Sequence, residues 1–238
     1  MNLAIFDVDG TLLDNLAGED ACYVAALRQG LRLTELDADW AAYEHVSDEG
    51  IAQEAYCRAF GSNPSPALLA QTIDYFLMLL ADAHACEPLT PIAGAARLLA
   101  VLPAHGWIPA LATGAWNRAA RFKLAAAGLS FKHLALATAE DGPARLNIVR
   151  AAWTRAATQC AATSVSPTPF ERVVLIGDGV WDLATAQTLE LPFVGRALGV
   201  GAEELRARGA VSLLANFMHV DAVLAALETA TVPGAVTR

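Results

Sequence analysis

The segment LAIFDVDGTLLDN, residues 3–15, constrains the fold more than any other part of this chain. Four apolar residues, Leu3 to Phe6, run straight into Asp7, and Asp9, Gly10, Thr11 and Asp14 follow. A short apolar run reads as a buried strand. Two carboxylates one residue apart at its end repel each other and resist burial. They need solvent or a cation at the strand end. Gly10 beside them lets backbone N–H groups approach a ligand closely.

The rest of the chain supplies partners for that strand. WIPALA (107–112), HLALA (133–137), RVVLIG (172–177), LPFVG (191–195) and VSLLA (211–215) read as further strands. Pro109 weighs against a central position for the first of these. Helical patterns lie between them, near 92–105, 116–127, 144–162, 180–189, 202–209 and 219–229, and Thr90-Pro91 reads as the start signal of the first. Strands alternating with helices imply an α/β fold, a doubly wound parallel sheet covered on both faces. Right-handed crossovers bring all strand C-terminal ends to one edge, where ligands bind. Residues 16–88 break the alternation and read as helices throughout (18–29, 39–44, 48–60 and 65–86). The expected organisation is a core domain of residues 1–15 and 89–238 with a helical domain, 16–88, inserted over the strand ends.

Composition narrows the function. With 238 residues and 55% hydrophobic content the chain can bury a full core. Its formal net charge of −9 argues against nucleic acid, whose phosphates require clustered Lys and Arg. The most apolar helical stretch, 72–83, contains Asp74 and Asp82 and is too short to span a bilayer. No charged-then-apolar leader precedes residue 3, so a cytoplasmic location and no membrane partner are expected. Cys22, Cys57, Cys86 and Cys160 form no C-x-x-C pair and read as reduced, buried thiols.

Three motifs converge on the sheet edge: Asp7-Val8-Asp9-Gly10-Thr11, then Leu111-Ala112-Thr113-Gly114, then Gly177-Asp178-Gly179-Val180-Trp181-Asp182. Clustered carboxylates suit a hard cation such as Mg²⁺, which commonly bridges to substrate phosphate. Asp7 with Asp178 or Asp182 can hold one. Asp7 can also attack phosphorus, and Asp9 can serve the leaving group as acid and water as base. The Thr113 hydroxyl and the backbone around Gly10, Thr11 and Gly114 are candidates for the phosphoryl oxygens. An EF-hand loop is excluded, because the positions that need Gly and Glu are Leu12 and Gly18. GRALGVG (195–201) lacks the third Gly of a dinucleotide loop.

DVDGT, LATG and GDGVWD resemble the first, second and fourth motifs of the haloacid dehalogenase (HAD) superfamily, in order, spacing and strand-end placement. The helical block resembles the cap of its phosphoglycolate phosphatase-like branch. The resemblance implies a Rossmann-like core, Asp7 as nucleophile and Asp9 as acid/base. It also implies Mg²⁺ held by Asp7, the Asp9 carbonyl and Asp178, with Asp182 in support. Asp182 as a plain helix cap is the alternative. The third motif usually presents a Lys. Arg145 stands at the expected place, with Lys132, Arg118 and Arg121 as alternatives. His45 lies in the loop that helps choose substrate in the resembling branch; a surface histidine beside a capped helix is its other reading.

Asp9 favours phosphate chemistry over dehalogenation, which needs no proton donor. Residues 15–90 contain no Lys, which excludes a Schiff-base phosphonatase and weakens a phosphosugar mutase reading. Arg28, Arg32 and Arg58 are the conceivable substitutes there. The resulting expectation is a Mg²⁺-dependent phosphatase acting on a small phosphorylated metabolite as a monomer or homodimer. A phosphosugar mutase and a non-catalytic sensor of a phosphorylated ligand are the alternatives.

Overall fold

The computed structural model describes residues 1–14, 18–161 and 170–234. Strand β1 (Asn2–Phe6) is followed by helices α1 (Glu19–Gly30), α2 (Asp48–Phe60) and α3 (Pro66–Cys86), with a 3-10 turn at Trp40–Ala42. Then come α4 (Ala95–Val101), β2 (Trp107–Ala112), α5 (Asn117–Ala126), β3 (Ala135–Ala137) and α6 (Arg145–Ala161). The chain continues with β4 (Arg172–Gly177), α7 (Val180–Thr188), β5 (Phe193–Arg196), α8 (Gly199–Ala207), β6 (Ser212–Leu214) and α9 (Val220–Thr229). The expected passage into the helical block between residues 15 and 16 lies outside the described residues, as does residue 162.

Among the described residues the six strands form one parallel sheet in the order β3-β2-β1-β4-β5-β6. Successive side chains of a strand point to opposite faces. Accordingly Leu3 and Ile5 enter one core with Ile148, Leu183 and Leu205, while Ala4 and Phe6 enter the other with Leu98, Leu124 and Leu227. The sheet is thus a doubly wound α/β layer, buried on both faces as parallel sheets require. Pro109 is accommodated because β3 pairs only with Ala110–Ala112, so at Pro109 the strand has a hydrogen-bonded neighbour on one side, β1.

The helical block has its own apolar centre. Tyr23, Leu27, Ile51, Phe76 and Leu80 pack together and reach Trp116 and Ala119 at the start of α5. Tyr23 meets Phe76 edge-on at 5.5 Å between ring centroids, and Phe76 meets Trp116 at 5.7 Å. Such aromatic pairs add to the stabilisation from area burial. Helix α2 begins at Ser47, whose hydroxyl accepts from the Gly50 N–H, and α3 begins at Ser65 with Pro66 in its first turn.

Three expectations are corrected. Thr90-Pro91 does not start a helix: Asp14 N–H donates to the Thr90 carbonyl and Ile92 N–H to the Leu12 carbonyl, so the returning chain pairs with the outgoing one. Helix α4 begins only after Gly94. Helix α8 starts at Gly199, three residues before the predicted 202. Of the cysteines only Cys160 is buried; Cys22 is half-buried, and Cys57 and Cys86 are exposed.

Candidate active site

The chain runs from β1 outward to β2 and β3, then returns to β4 on the other flank of β1. Strand order therefore reverses at the carboxyl ends of β1 and β4, where such sheets open a crevice for ligands. Phe6 is in register with Leu111 on one side and Ile176 on the other, so the motifs that leave these strands emerge side by side. The Asp7 N–H donates to the Ile176 carbonyl at 2.8 Å, and the Thr113 N–H to Ala137 at 3.1 Å. Three sequence-distant segments are thus fixed by backbone bonds before any side chain is considered.

Asp7, Asp178 and Asp182 each offer a carboxylate oxygen, all within 4.8 Å of one another. The Thr11 hydroxyl lies 3.4 Å from both Asp7 and Asp178. Asp182 uses one oxygen to accept from the Gly179 N–H at 3.1 Å, which caps α7, and faces Arg145 with the other at 3.2 Å. The two readings of Asp182, helix cap and site residue, are therefore geometrically compatible. Arg145 Nη1 lies 2.8 Å from Asp7. Arg145 is the first residue of α6, where the helix dipole disfavours a cation. The carboxylates opposite hold it there.

Burial first, then Asp182, pushes the Asp7 carboxyl well above the usual carboxylate range. The same two causes push Asp178 up to about 7. Burial works against the Arg145 cation, yet the carboxylates around it raise it above its ordinary value. Three clustered carboxylates against one guanidinium leave an excess of negative charge that a divalent cation would offset, and all the donors are hard oxygens. The residues fit Mg²⁺.

Two glycines stand at close approaches. Gly10 adopts φ +73°, and a Cβ there would sit 1.9 Å from an Asp178 carboxylate oxygen. At Gly114 a Cβ would press on the Arg145 guanidinium at 3.2 Å. Both positions thus make room for charged side chains in addition to presenting backbone.

A residue that sequence reasoning passed over completes the site. Lys123, on α5, is 1% exposed and places Nζ 2.6 Å from both Asp9 and Glu19. Burial opposes its charge, but Asp9, Glu19 and Asp48 raise it above its ordinary value. The signal was present: Ala119, Ala120, Lys123 and Leu124 share the buried face of α5, and a lysine on such a face requires an anionic partner. Thr113 stands 3.4 Å from the other Asp9 oxygen and accepts from the Ala115 N–H.

The alternatives for the third-motif cation lie elsewhere. Lys132 is exposed, beside a surface groove with Arg121 and Arg155. Arg118 pairs with Asp74 of α3, and Arg121 donates to Asn117. Of the arginines in the helical block none lines the active-site cavity: Arg28 and Arg32 are exposed, and Arg58 pairs with Glu54. The His45 side chain lies 3.9 Å from Glu44 and does not line the cavity either. Its neighbours do, because the tight turn in which Ser47 N–H donates to the His45 carbonyl carries Val46, Ser47 and Asp48 inward.

That turn is anchored to the core. Arg145 Nε donates to the Val46 carbonyl, the Ser47 hydroxyl to Pro143, and the Asp48 N–H to Gly114. The Trp116 N–H donates to the Asp48 carboxylate at 2.8 Å and its indole N–H to Glu49 at 2.9 Å. Between block and sheet edge lies a cavity of ≈ 340 Å³, bounded by Asp9, Asp178, Arg145 and Lys123 below and by Tyr23, Trp40 and Asp48 above. Its size suits a small molecule.

A doubly wound sheet with acidic residues at its switch point and helices closing over them defines a class of α/β enzymes that act on small molecules. A sequence model of the haloacid dehalogenase-like hydrolase family matches residues 1–189, and the chain belongs to that family. A search of curated proteins by sequence finds no match. Among solved structures the chain is similar to a hydrolase from Pseudomonas syringae, with 20% identity and a TM-score of 0.67 over 97% of this chain and 100% of that one. It is similar to CbbY from Rhodobacter sphaeroides in complex with phosphate (20% identity, TM-score 0.63, 96% and 99% of the chains). It is also similar to a predicted phosphoglycolate phosphatase from Haemophilus somnus (14% identity, TM-score 0.55, 94% and 98% of the chains). At such identities the likeness speaks for the fold. Among the described residues no helix is long and apolar enough to cross a membrane.

Proposed function

We propose that the protein is a phosphatase that hydrolyses a small organic phosphate monoester through an aspartyl-phosphate at Asp7, with Mg²⁺ as cofactor. The observation that carries this reading is the opposition of Asp7, within the Asp178–Asp182 cluster, to Arg145 at 2.8 Å, with Asp9 lining the cavity beside them. Asp7 and Asp178, with the Asp9 carbonyl, would hold the cation, and Asp182 would support them. Bound there, Mg²⁺ supplies positive charge for the phosphoryl oxygens.

In the first step an Asp7 oxygen attacks phosphorus, the bond to the ester oxygen breaks, and Asp9 gives that oxygen its proton. In the second, water attacks phosphorus, Asp9 takes its proton, and the Asp7–phosphorus bond breaks to release inorganic phosphate. Arg145 stabilises charge spread over the phosphoryl oxygens as a forked donor. Thr113 and Lys123 orient the Asp9 carboxyl between them. The helical block excludes bulk water from the cavity.

The test is phosphate release from a panel of small monoesters with Mg²⁺. Asp7→Asn should abolish it, by about 10³-fold or more, and so should excess EDTA. Undiminished turnover in either would overturn the mechanism.

A further inference from the structure

The walls of the cavity specify its substrate further, on the reading that the protein is a phosphatase. Among the described residues two cations face the cavity, and each is already engaged by two carboxylates. Arg145 lies 2.8 Å from Asp7 and 3.2 Å from Asp182. Lys123 lies 2.6 Å from Asp9 and from Glu19. Arg145 belongs to the phosphate end. The opposite end, where the alcohol part of an ester must lie, is bordered by Glu19, Asp20 and Asp48. Among the described residues neither Asp20 nor Asp48 has an ion-pair partner. Asp20 accepts from the Trp40 indole at 3.3 Å, so an exposed carboxylate and an aromatic ring stand together at the rim.

A second anionic group on the substrate, a carboxylate or another phosphate, would enter an acidic end whose cation, Lys123, is already shared between Asp9 and Glu19. Like-charge juxtaposition at this end disfavours binding. An ammonium group would meet the reverse: the Asp20 carboxylate, which has no ion-pair partner among the described residues, and the Trp40 ring beside it, both attractive to a cation. We infer that the preferred substrate is the phosphate monoester of a small amino alcohol bearing no second anionic group, with Asp20 and Trp40 receiving its ammonium end.

Phosphoethanolamine and phosphoglycolate differ little in size and oppose each other in charge, which makes them the decisive pair. With Mg²⁺, kcat/KM for phosphoethanolamine should exceed that for phosphoglycolate by about 100-fold. Asp20→Lys should shrink that ratio by about tenfold or more, chiefly through KM for the amine, and Asp20→Asn by less. p-Nitrophenyl phosphate serves as the reference ester. If it is turned over but phosphoglycolate equals or exceeds phosphoethanolamine, the leaving-group inference is overturned and the phosphatase stands. An unchanged ratio in Asp20→Lys overturns it equally. If no ester is turned over, the phosphatase reading fails, and this inference with it.

Discussion

The two ends of the cavity are built by different means. At the sheet edge, Asp7, Thr113 and Asp178 each follow directly from the end of a strand, and parallel register alone brings them together. At the opposite wall, Glu19, Asp20, Trp40 and Asp48 come from separate segments of the helical block, placed by the packing of Tyr23, Phe76 and Trp116. The first end is fixed by backbone hydrogen bonds and tolerates only local change. The second depends on side chains tens of residues apart, so its chemistry can vary while the edge stays as it is. Lys123 and Arg145 lie on the boundary, since each touches both regions.

The largest effect should come from breaking the edge. Arg145→Ala removes the guanidinium that faces Asp7 and should lower kcat by about 10²–10³-fold, the range for losing a preorganised charge donor. Lys132→Ala should stay within about twofold. The opposite ranking in steady-state kinetics would return the third-motif role to Lys132.

Breaking the boundary should cost stability as well as rate. Lys123→Met leaves Asp9 and Glu19 facing each other without their shared cation, and losing one partner of a buried pair costs about 3 kcal/mol. Thermal unfolding should fall by about 6–12 °C in a chain of this length. Adding Glu19→Gln should restore part of that loss. A double variant no more stable than the single one would show that the Lys123–Glu19 contact does not couple block to core.

A smaller effect separates the two ends by their response to Mg²⁺ and pH. Burial and Asp182 hold Asp178 at about 7 and Asp7 higher than usual, so the edge carries protons that a cation must displace. The rise in melting temperature on adding Mg²⁺ should therefore grow from pH 6 to pH 8. A rise that shrinks over this range would place the ion elsewhere.

The smallest effect belongs to the far wall. Burial raises Asp48 to about 7, against the pull of Lys123 and the Trp116 N–H. A carboxyl raised in the folded state favours folding while protonated; that contribution is complete below its ordinary value near 4 and is lost as pH rises through about 7. Asp48→Asn removes this loss, so variant-minus-parent stability should increase by on the order of 1 kcal/mol between pH 5 and pH 8. A difference independent of pH would mean that Asp48 does not titrate there.

Legibility in the sequence follows the same division. The strand ends could be read because a four-residue apolar run stopped by Asp is a local pattern, and RVVLI followed by GDG nearly repeats it. Arg145 could be placed by the resemblance, since it stands where the third motif is expected between Thr113 and Asp178. Lys123 was printed as plainly, on the buried face of α5, yet nothing near it in sequence names its partners, which are 104 residues or more away. His45 has suitable chemistry and lies in a loop beside the cavity. The turn through Ser47 then directed the neighbouring side chains into the cavity instead. Thr90-Pro91 fails as a helix start because the Thr90 carbonyl accepts from Asp14 and the next residue, Ile92, donates to Leu12, a pairing that local propensity cannot anticipate.

By itself, then, the sequence determined the alternation that makes a parallel sheet and the acidic residues at its edge. Both arise from periodicity and strand termination, which act within a few residues. Only the tertiary structure decided which cations are engaged and which carboxylates are left without one. That depends on charges brought within 3 Å from distant segments, where burial and Coulomb interaction, not sequence spacing, set the outcome.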